Sequence, residues 1–311
     1  MSRTTADLGG PLQDDAERAA RGRRFGAAVV VGDSAAAGHE VLTNPRSARV
    51  SRVAGLSRRN ARAKHRRFLV EGPQGVREAV RHAPGRVLDV YLTETALERH
   101  SEIWDEAVAA GLYVHVTTQQ VMDAMSPDAQ GLLAVVATEE ATGSEALAAA
   151  LEGARLVAVL TQAQDPGNAG TIIRAADAAG ADAVVLVRGS VDPTAPKVVR
   201  STAGSLFHLP VVTGVALDDA VTALHNAGLT VLAADGRGDF DLFEAESLLE
   251  APSAWLLGNE AHGLPSEALS RADAVVSIPI YGKAESLNVA AAAAVCLYAS
   301  ARAQAQNSGR S

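Results

Sequence analysis

The stretch "WLLGNEAHGL", Trp255 to Leu264, joins a short apolar run to a Gly-Asn-Glu turn and a second glycine. Turns favour glycine and asparagine on their own account, so one such pair says little. A strand that ends in an amide, a carboxylate and two glycines has to be read with the rest of the chain. Matching pieces lie on both sides of it.

From Arg155 onward, strand-like runs alternate with helical patterns. The runs are "RLVAVLTQ", "ADAVVLVRG", "HLPVVTG", "LTVLAAD", "SAWLLGN" and "AVVSIPI", and an alanine-rich helix, "NVAAAAAVCLYASARAQ", follows them. Such alternation predicts a mainly parallel sheet covered on both faces. Ligands in these sheets collect at the carboxyl ends of the strands. Three loops there carry chemistry: "QAQDPGNAGTIIRAADAAG", "LLGNEAHGL" and "IPIYGKAESLNVA". In the first, Gly167 and Gly170 permit close backbone approach, Asn168 is a candidate helix cap, and Arg174 follows six residues later. In the third, Ser286 and Asn288 precede the apolar helix, as caps or as functional groups. No G-x-G-x-x-G follows any strand, which disfavours a dinucleotide fold and an unrelated nucleotide-binding enzyme.

Upstream, "RFLVEG", "RVLDVYLT", "LYVHVT" and "GLLAVVAT" read as four strands, with helical patterns at "PQGVREAVRHA", "TALERHSEIWDEAVAAG" and "TQQVMDAM". The chain thus divides into a flexible extension (1–40), a small α/β domain (41–138), a linker with helical character (139–152), a larger α/β domain (153–304) and a flexible tail (305–311). Its 311 residues suit two domains. No apolar run approaches the roughly 20 residues of a membrane span, and the start lacks a signal-peptide core, which predicts a cytoplasmic protein. The only cysteine, Cys296, rules out a disulfide framework and cysteine-based zinc or iron–sulfur sites. It sits in the apolar helix as a structural thiol.

The net charge is −8, but it is unevenly spread. Between Arg46 and Arg67 the chain carries Arg46, Arg49, Arg52, Arg58, Arg59, Arg62, Lys64, Arg66 and Arg67 with no acidic residue. This block is a candidate footprint for a polyanion; the alternative is a solvated helix face.

"NAGTIIRAADAAG", "LLGNEAHGL" and "VSIPIYGKAESLNVAAAAAVCLYA" resemble the three signature motifs of the SpoU (TrmH) family of RNA 2′-O-ribose methyltransferases, in the SPOUT superfamily. They stand in the family's order and spacing, and the resemblance covers roughly Arg155 to Gln304. "VSRVAGLSRRNARAKHRRFLVEGPQGVREAV" resembles the small ribosomal-protein-like (L30e-like) RNA-binding domain that precedes the catalytic domain in the rRNA-modifying branch. The resemblance implies a trefoil-knotted α/β domain, a homodimer, and S-adenosylmethionine held by Leu257, Gly258, Ile278, Leu287 and Asn288. It implies an active-site set of Asn168, Arg174, Glu260, Ser286 and Asn288, no metal, and a phosphate contact at Arg200 beside those of Arg58, Arg59, Arg62, Lys64, Arg66 and Arg67. Ile280 stands where many members have methionine, a volume-conserving departure. The implied activity is methylation of a ribose 2′-hydroxyl in structured RNA, rRNA (23S rRNA included) before tRNA. A catalytically silent RNA-binding relative is the other reading.

Family models make the first-motif arginine, here Arg174, the base. A guanidinium with a pKa above about 12 is a poor base near neutrality, and bidentate anchoring of a phosphate is the easier role. Both remain open on the sequence. Methylation at C5 of a pyrimidine commonly needs a cysteine nucleophile, and Cys296 is placed like core, so ribose chemistry fits better.

Overall fold

The computed structural model describes residues 41–139, 141–259 and 263–308; the expected extension over residues 1–40 lies outside them. The first domain begins with helices α1 (Ala48–Gly55) and α2 (Arg59–His65) and continues through strand β1 (Arg67–Glu71), α3 (Pro73–His82) and β2 (Val87–Thr93). Helices α4 (Glu94–Arg99) and α5 (Ser101–Ala109), strand β3 (Val114–Thr117), α6 (Gln119–Met125) and β4 (Leu132–Ala137) complete it. Its sheet runs β1-β4-β2-β3, antiparallel except for the parallel β2–β3 pair. Local chemistry sets the boundaries. Ser47 caps α1 by accepting from Val50 N, Thr118 caps α6 by accepting from Val121 N, and Pro73 opens α3. The pattern around "TALERHSEIWDEAVAAG" divides into α4 and α5 because His100 leaves the helical region at φ −133°, ψ 45°. Val50, Val53, Leu69, Tyr91, Met122 and Leu133 pack together between α1, α6 and one face of the sheet.

The second domain opens with α7 (Gly143–Leu151), inside the span expected to be a linker. Leu147 and Leu151, one turn apart, are buried in its core, which makes the helix part of this domain. There follow β5 (Leu156–Leu160), α8 (Pro166–Ala178), β6 (Ala183–Leu186), α9 (Pro196–Thr202), β7 (Val211–Thr213), α10 (Leu217–Asn226) and β8 (Thr230–Ala234). The chain ends with β9 (Phe240–Asp241), α11 (Glu246–Leu249), β10 (Ser253–Leu257), α12 (Ser266–Arg271), β11 (Ala274–Ser277) and α13 (Val289–Ser308). Helix α13 thus runs beyond Gln304, into residues expected to form a flexible tail.

All seven strands are parallel, in the order β7-β6-β5-β10-β8-β11-β9. The chain adds β6 and β7 outward from β5, returns to β8 two places away, and later fills the gap with β10. Strands β5 and β10 are buried along their whole length, which is why they read as continuous apolar runs and not as alternation. On one face α8 and α13 bring Ile172, Ile173, Cys296 and Leu297 onto Trp255; on the other α7, α10 and α12 bring Leu147, Leu224 and Ala268 onto Val157 and Val231. The indole N–H of Trp255 donates to Ser300 Oγ at 2.9 Å, so the buried ring keeps no polar group unsatisfied. Cys296 is wholly buried, and burial pushes its thiol up to about 12, which bars it from acting as a nucleophile near neutrality. At Gly170 a side-chain carbon would lie 2.5 Å from Ser201 Cβ and Val198 O, so only glycine lets α8 and α9 touch backbone to backbone.

Candidate active site

Because the strands are parallel, β5, β10, β8 and β11 end on one edge of the sheet, and the three suspect loops leave from there. The first two are joined at their roots. Thr161, just past β5, donates both its backbone N–H and its hydroxyl to the carbonyl of Leu257, each at 2.9 Å. One residue on, the carbonyl of Gln162 accepts from Asn259 Nδ2 at 3.0 Å. The resemblance sets Gly258 beside the cofactor, and the fold requires glycine there for a reason of its own. A side-chain carbon there would lie 2.4 Å from Gly263 C and 2.6 Å from Leu264 N, so the loop's own return fills that space. Asn259 and Gly263 exchange both backbone hydrogen bonds at 2.9 Å and close the loop. Glu260 lies outside the described residues.

Helix α8 is capped by Asp165, not by Asn168. The Asp165 carboxylate accepts from Asn168 N at 2.8 Å, and that bond, with Lys197 3.5 Å away, holds its pKa below the usual value. Asn168 falls in the first turn, and its side-chain amide turns instead to the third loop. Its Oδ1 accepts from Asn288 Nδ2 at 3.1 Å. Asn288 also caps α13, with Oδ1 accepting from Ala290 N at 2.9 Å. The capping reading of Asn288 holds, and its amide also joins the third loop to the first.

Arg174 lies farther along α8, about 9 Å up the axis and about 120° around it from Asn168 by helical geometry. It is exposed and forms no ion pair among the described residues. Leu257 is buried at the end of β10, Ile278 is half-buried past β11, and Ser286, Leu287 and Asn288 are exposed just before α13. Among the described residues no backbone–backbone hydrogen bond involves Ile278 to Leu287. That segment also presents the apolar side chains of Ile280 and Leu287, 38% and 40% exposed, beside the strand ends.

A family model described as the SpoU rRNA Methylase family matches residues 155–298, and one for RNA 2′-O ribose methyltransferase substrate binding matches residues 69–142. The 23S rRNA (guanosine(2553)-2′-O)-methyltransferase RlmP of Bacillus subtilis is 35% identical over 78% of this chain and 92% of its own length. The chain belongs to the SpoU methylase family. A 23S rRNA (uridine(2479)-2′-O)-methyltransferase of Streptomyces viridochromogenes is 34% identical over 79% of this chain and 86% of its own length. The AdoMet-bound rRNA methyltransferase of Sinorhizobium meliloti superposes with a TM-score of 0.72 at 28% identity, over 85% of this chain and 97% of that one.

The basic block meets the SpoU domain in a way its composition did not foretell. Arg58, Arg59, Lys64 and Arg66 are exposed and Arg67 is half-buried, but Arg62 is 5% exposed and no longer a candidate phosphate contact. Its Nη2 donates to Asp192 Oδ2 at 2.7 Å, its Nε reaches Thr194 Oγ1 at 3.3 Å, and its Nη1 donates to the carbonyls of Leu56 and Ser57. Arg200 makes the reverse link, from α9 to Glu71 of β1 and to Asp128 at 3.0 Å. Both guanidiniums tie the substrate-binding domain to the methylase domain. Arg86, which sequence reading passed over, lines the cleft between the domains with Arg59, Arg66 and Phe207. Its guanidinium sits 5.9 Å from the Phe207 ring centre, and burial lowers its pKa.

Burial alone would raise the Asp192 carboxyl, but hydrogen bonds from Thr194 and Arg62 outweigh it and hold the pKa below the usual value. A carboxylate so depressed stabilises the fold above its unfolded value of about 3.9 and loses that effect as pH falls through the folded value. Arg62→Ala leaves this carboxylate without its cation and should cost about 3 kcal/mol at neutral pH by urea denaturation. Asp192→Asn should also destabilise at neutrality, with the gap to the parent protein narrowing below about pH 4. A loss under about 0.5 kcal/mol for Arg62→Ala, the level of ordinary surface changes, would return Arg62 to the exposed block.

Proposed function

We propose that the protein transfers the methyl group of S-adenosylmethionine to a ribose 2′-hydroxyl of rRNA. The observation that carries this reading is the meeting of the three SpoU motif loops at one sheet edge, where Asn288 of the third bonds Asn168 of the first. Both curated relatives act on 23S rRNA, one at a guanosine and the other at a uridine, so the ribose and not the base is their common target. The residues fit the cofactor. The peptide groups from Ile278 to Leu287, unbonded to other backbone among the described residues, suit the edge of a purine, and the ends of β10 and β11 at Leu257 and Ile278 supply apolar walls.

When bound, S-adenosylmethionine supplies an electrophilic methyl on a sulfonium. The protein's task is to bring a 2′-oxygen in line behind it, and most of the rate comes from that alignment. Leu257, Gly258, Ile278, Leu287 and Asn288 hold the donor. Asn168, Ser286 and Glu260 fix the ribose side, and the Asn168–Asn288 bond keeps the two halves in register. Arg174 anchors the target phosphate and stabilises the alkoxide as its proton passes to that phosphate or to water.

Two further family features belong to this reading. The first is a trefoil knot, supported by β10 lying between β5 and β8 while the segment after β11 returns to Asn168. The second is a homodimer formed by the methylase domain in the cytoplasm, supported by Tyr281 and Tyr298, 87% and 53% exposed. Among the described residues no helix is long and apolar enough to cross a membrane. Sedimentation of the full chain at micromolar concentration should show a dimer; a monomer overturns this part.

Incubation with rRNA, nuclease digestion and mass spectrometry should place the added mass on a sugar, and a methylated base would defeat the assignment. Arg174→Ala should abolish turnover while changing cofactor affinity by only a fewfold, since its side chain acts on RNA.

The exposed part of the basic block supplies the sequence-independent grip. Replacing Arg58, Arg59, Lys64 and Arg66 with alanine should weaken rRNA binding and flatten its salt dependence by roughly 0.7 to 0.9 log units per lost contact. An unchanged slope would make this a solvated face.

A further inference from the structure

Away from the methyl-transfer edge, three side chains from the two domains converge on one point. Helix α3 carries Glu78 and His82 on successive turns, and His208 follows the tight turn Ser205–Phe207 of the methylase domain. Glu78 Oε2 lies 3.3 Å from His82 Nε2 and 3.2 Å from His208 Nε2, and the potential ligand atoms all fall within 4.8 Å of one another. The two imidazole rings are 4.5 Å apart, edge to face. These separations have a chemical meaning. Four ligands at about 2.0–2.1 Å from a tetrahedral zinc ion stand about 3.3–3.4 Å from each other. Two edges of such a tetrahedron are already in place.

The surroundings are those of a ligand set. His208 Nδ1 lies 2.8 Å from Asp177 Oδ2, so the Nδ1 proton is held by a carboxylate and Nε2 is directed at Glu78. A carboxylate behind a histidine is the usual support of a metal-binding imidazole, fixing its tautomer and raising its basicity. A metal ion seated between these groups would meet Nε2 of both imidazoles and the Glu78 oxygen. The stem of Glu78 is also fixed. Gly204, at φ +103°, lies so close that a side-chain carbon there would come within 2.4 Å of Glu78 Cγ.

We propose that Glu78, His82 and His208 bind one divalent transition-metal ion of the zinc class, with Asp177 orienting His208 from behind. One oxygen and two imidazole nitrogens without a thiolate suit zinc, and borderline metals of similar preference compete for such a set. Three protein ligands leave the fourth position to solvent. His82 and His208 also line the cleft between the domains, a cavity of about 850 Å³ shared with Arg66 and Arg86. The ion joins α3 of the substrate-binding domain to the methylase domain, as a third clasp beside Arg62–Asp192 and Arg200–Glu71. It has no part in methyl transfer.

The full-length protein, stripped with a chelator and dialysed, is titrated with Zn²⁺ by calorimetry and followed by thermal melting. One equivalent per chain should bind at micromolar or tighter affinity and raise the melting temperature. His82→Asn and His208→Asn should each weaken binding at least tenfold. Asp177→Asn, which leaves all three ligands in place, should weaken it about 10- to 100-fold. His225→Asn, at an unrelated His–Asp pair, should bind as the parent does. Should His208→Asn fail to fold, Glu78→Gln removes a ligand without altering its shape and serves instead. No saturable equivalent, or binding that survives the Glu78, His82 and His208 changes, overturns the proposal.

Discussion

The carbonyl of Leu257 accepts two hydrogen bonds from one residue, the amide and the hydroxyl of Thr161. This fastens the ends of β5 and β10 to each other at the point where both strands give way to loops. A parallel sheet leaves its strand ends as free backbone, and loops leaving them would otherwise be placed only by their own packing. Here the Thr161–Leu257 bonds set the first loop against the second, and the Gln162–Asn259 bond extends the join by one residue. The third loop is then brought in by Asn288, whose amide reaches Asn168 only because Asp165 has taken over the capping of α8. Each polar contact at the site depends on the one before it.

The same economy governs the meeting of the two domains. Arg62 and Arg200 point in opposite directions across the boundary, each into a carboxylate of the other domain. Pairs of this kind add little net stability over an apolar contact, because desolvation offsets much of the attraction. They do penalise misalignment, since a shifted domain strands a buried charge. Glu71 shows how tightly the device is built: its side chain is 3% exposed and is shared between Arg200 and the Ser126 hydroxyl. The angle between substrate-binding and methylase domains is thereby held while each core remains separate.

The sequence made the strands legible because both sheets are buried and their strands read as apolar runs between turn residues. β9 was missed, since two residues, Phe240 and Asp241, are too short to form a pattern. The helix over residues 143–151 was legible, but not that Leu147 and Leu151 pack into the second domain's core, which makes it part of that domain and not a linker. At the site, the motifs located Asn168 and Asn288 but not their bond, which spans 120 positions. Asp165-Pro166 is the better cap signal, because proline at the first helical position places the cap on the residue before it and not on Asn168. Arg62 could not be told from Arg59 or Lys64 by composition. Only the acidic partner on a distant segment separates a structural arginine from a free one. His82 and His208 are likewise brought together by packing of one domain on the other, which no local spacing records.

An acidic protein that grips a polyanion is no contradiction once distances are considered. At physiological ionic strength charges are screened beyond about 8 Å, so RNA phosphates respond to the nearest side chains and not to the overall −8. The two clasps draw Asp192 and Glu71 onto arginines, which neutralises acid that would otherwise lie beside the basic face. Arg58, Arg59, Lys64 and Arg66 keep their exposure, and Arg59 and Arg66 line the interdomain cleft. The carboxylates that fix the domain angle therefore also leave a local surplus of positive charge, set at a fixed orientation to the edge that carries Asn168 and Asn288.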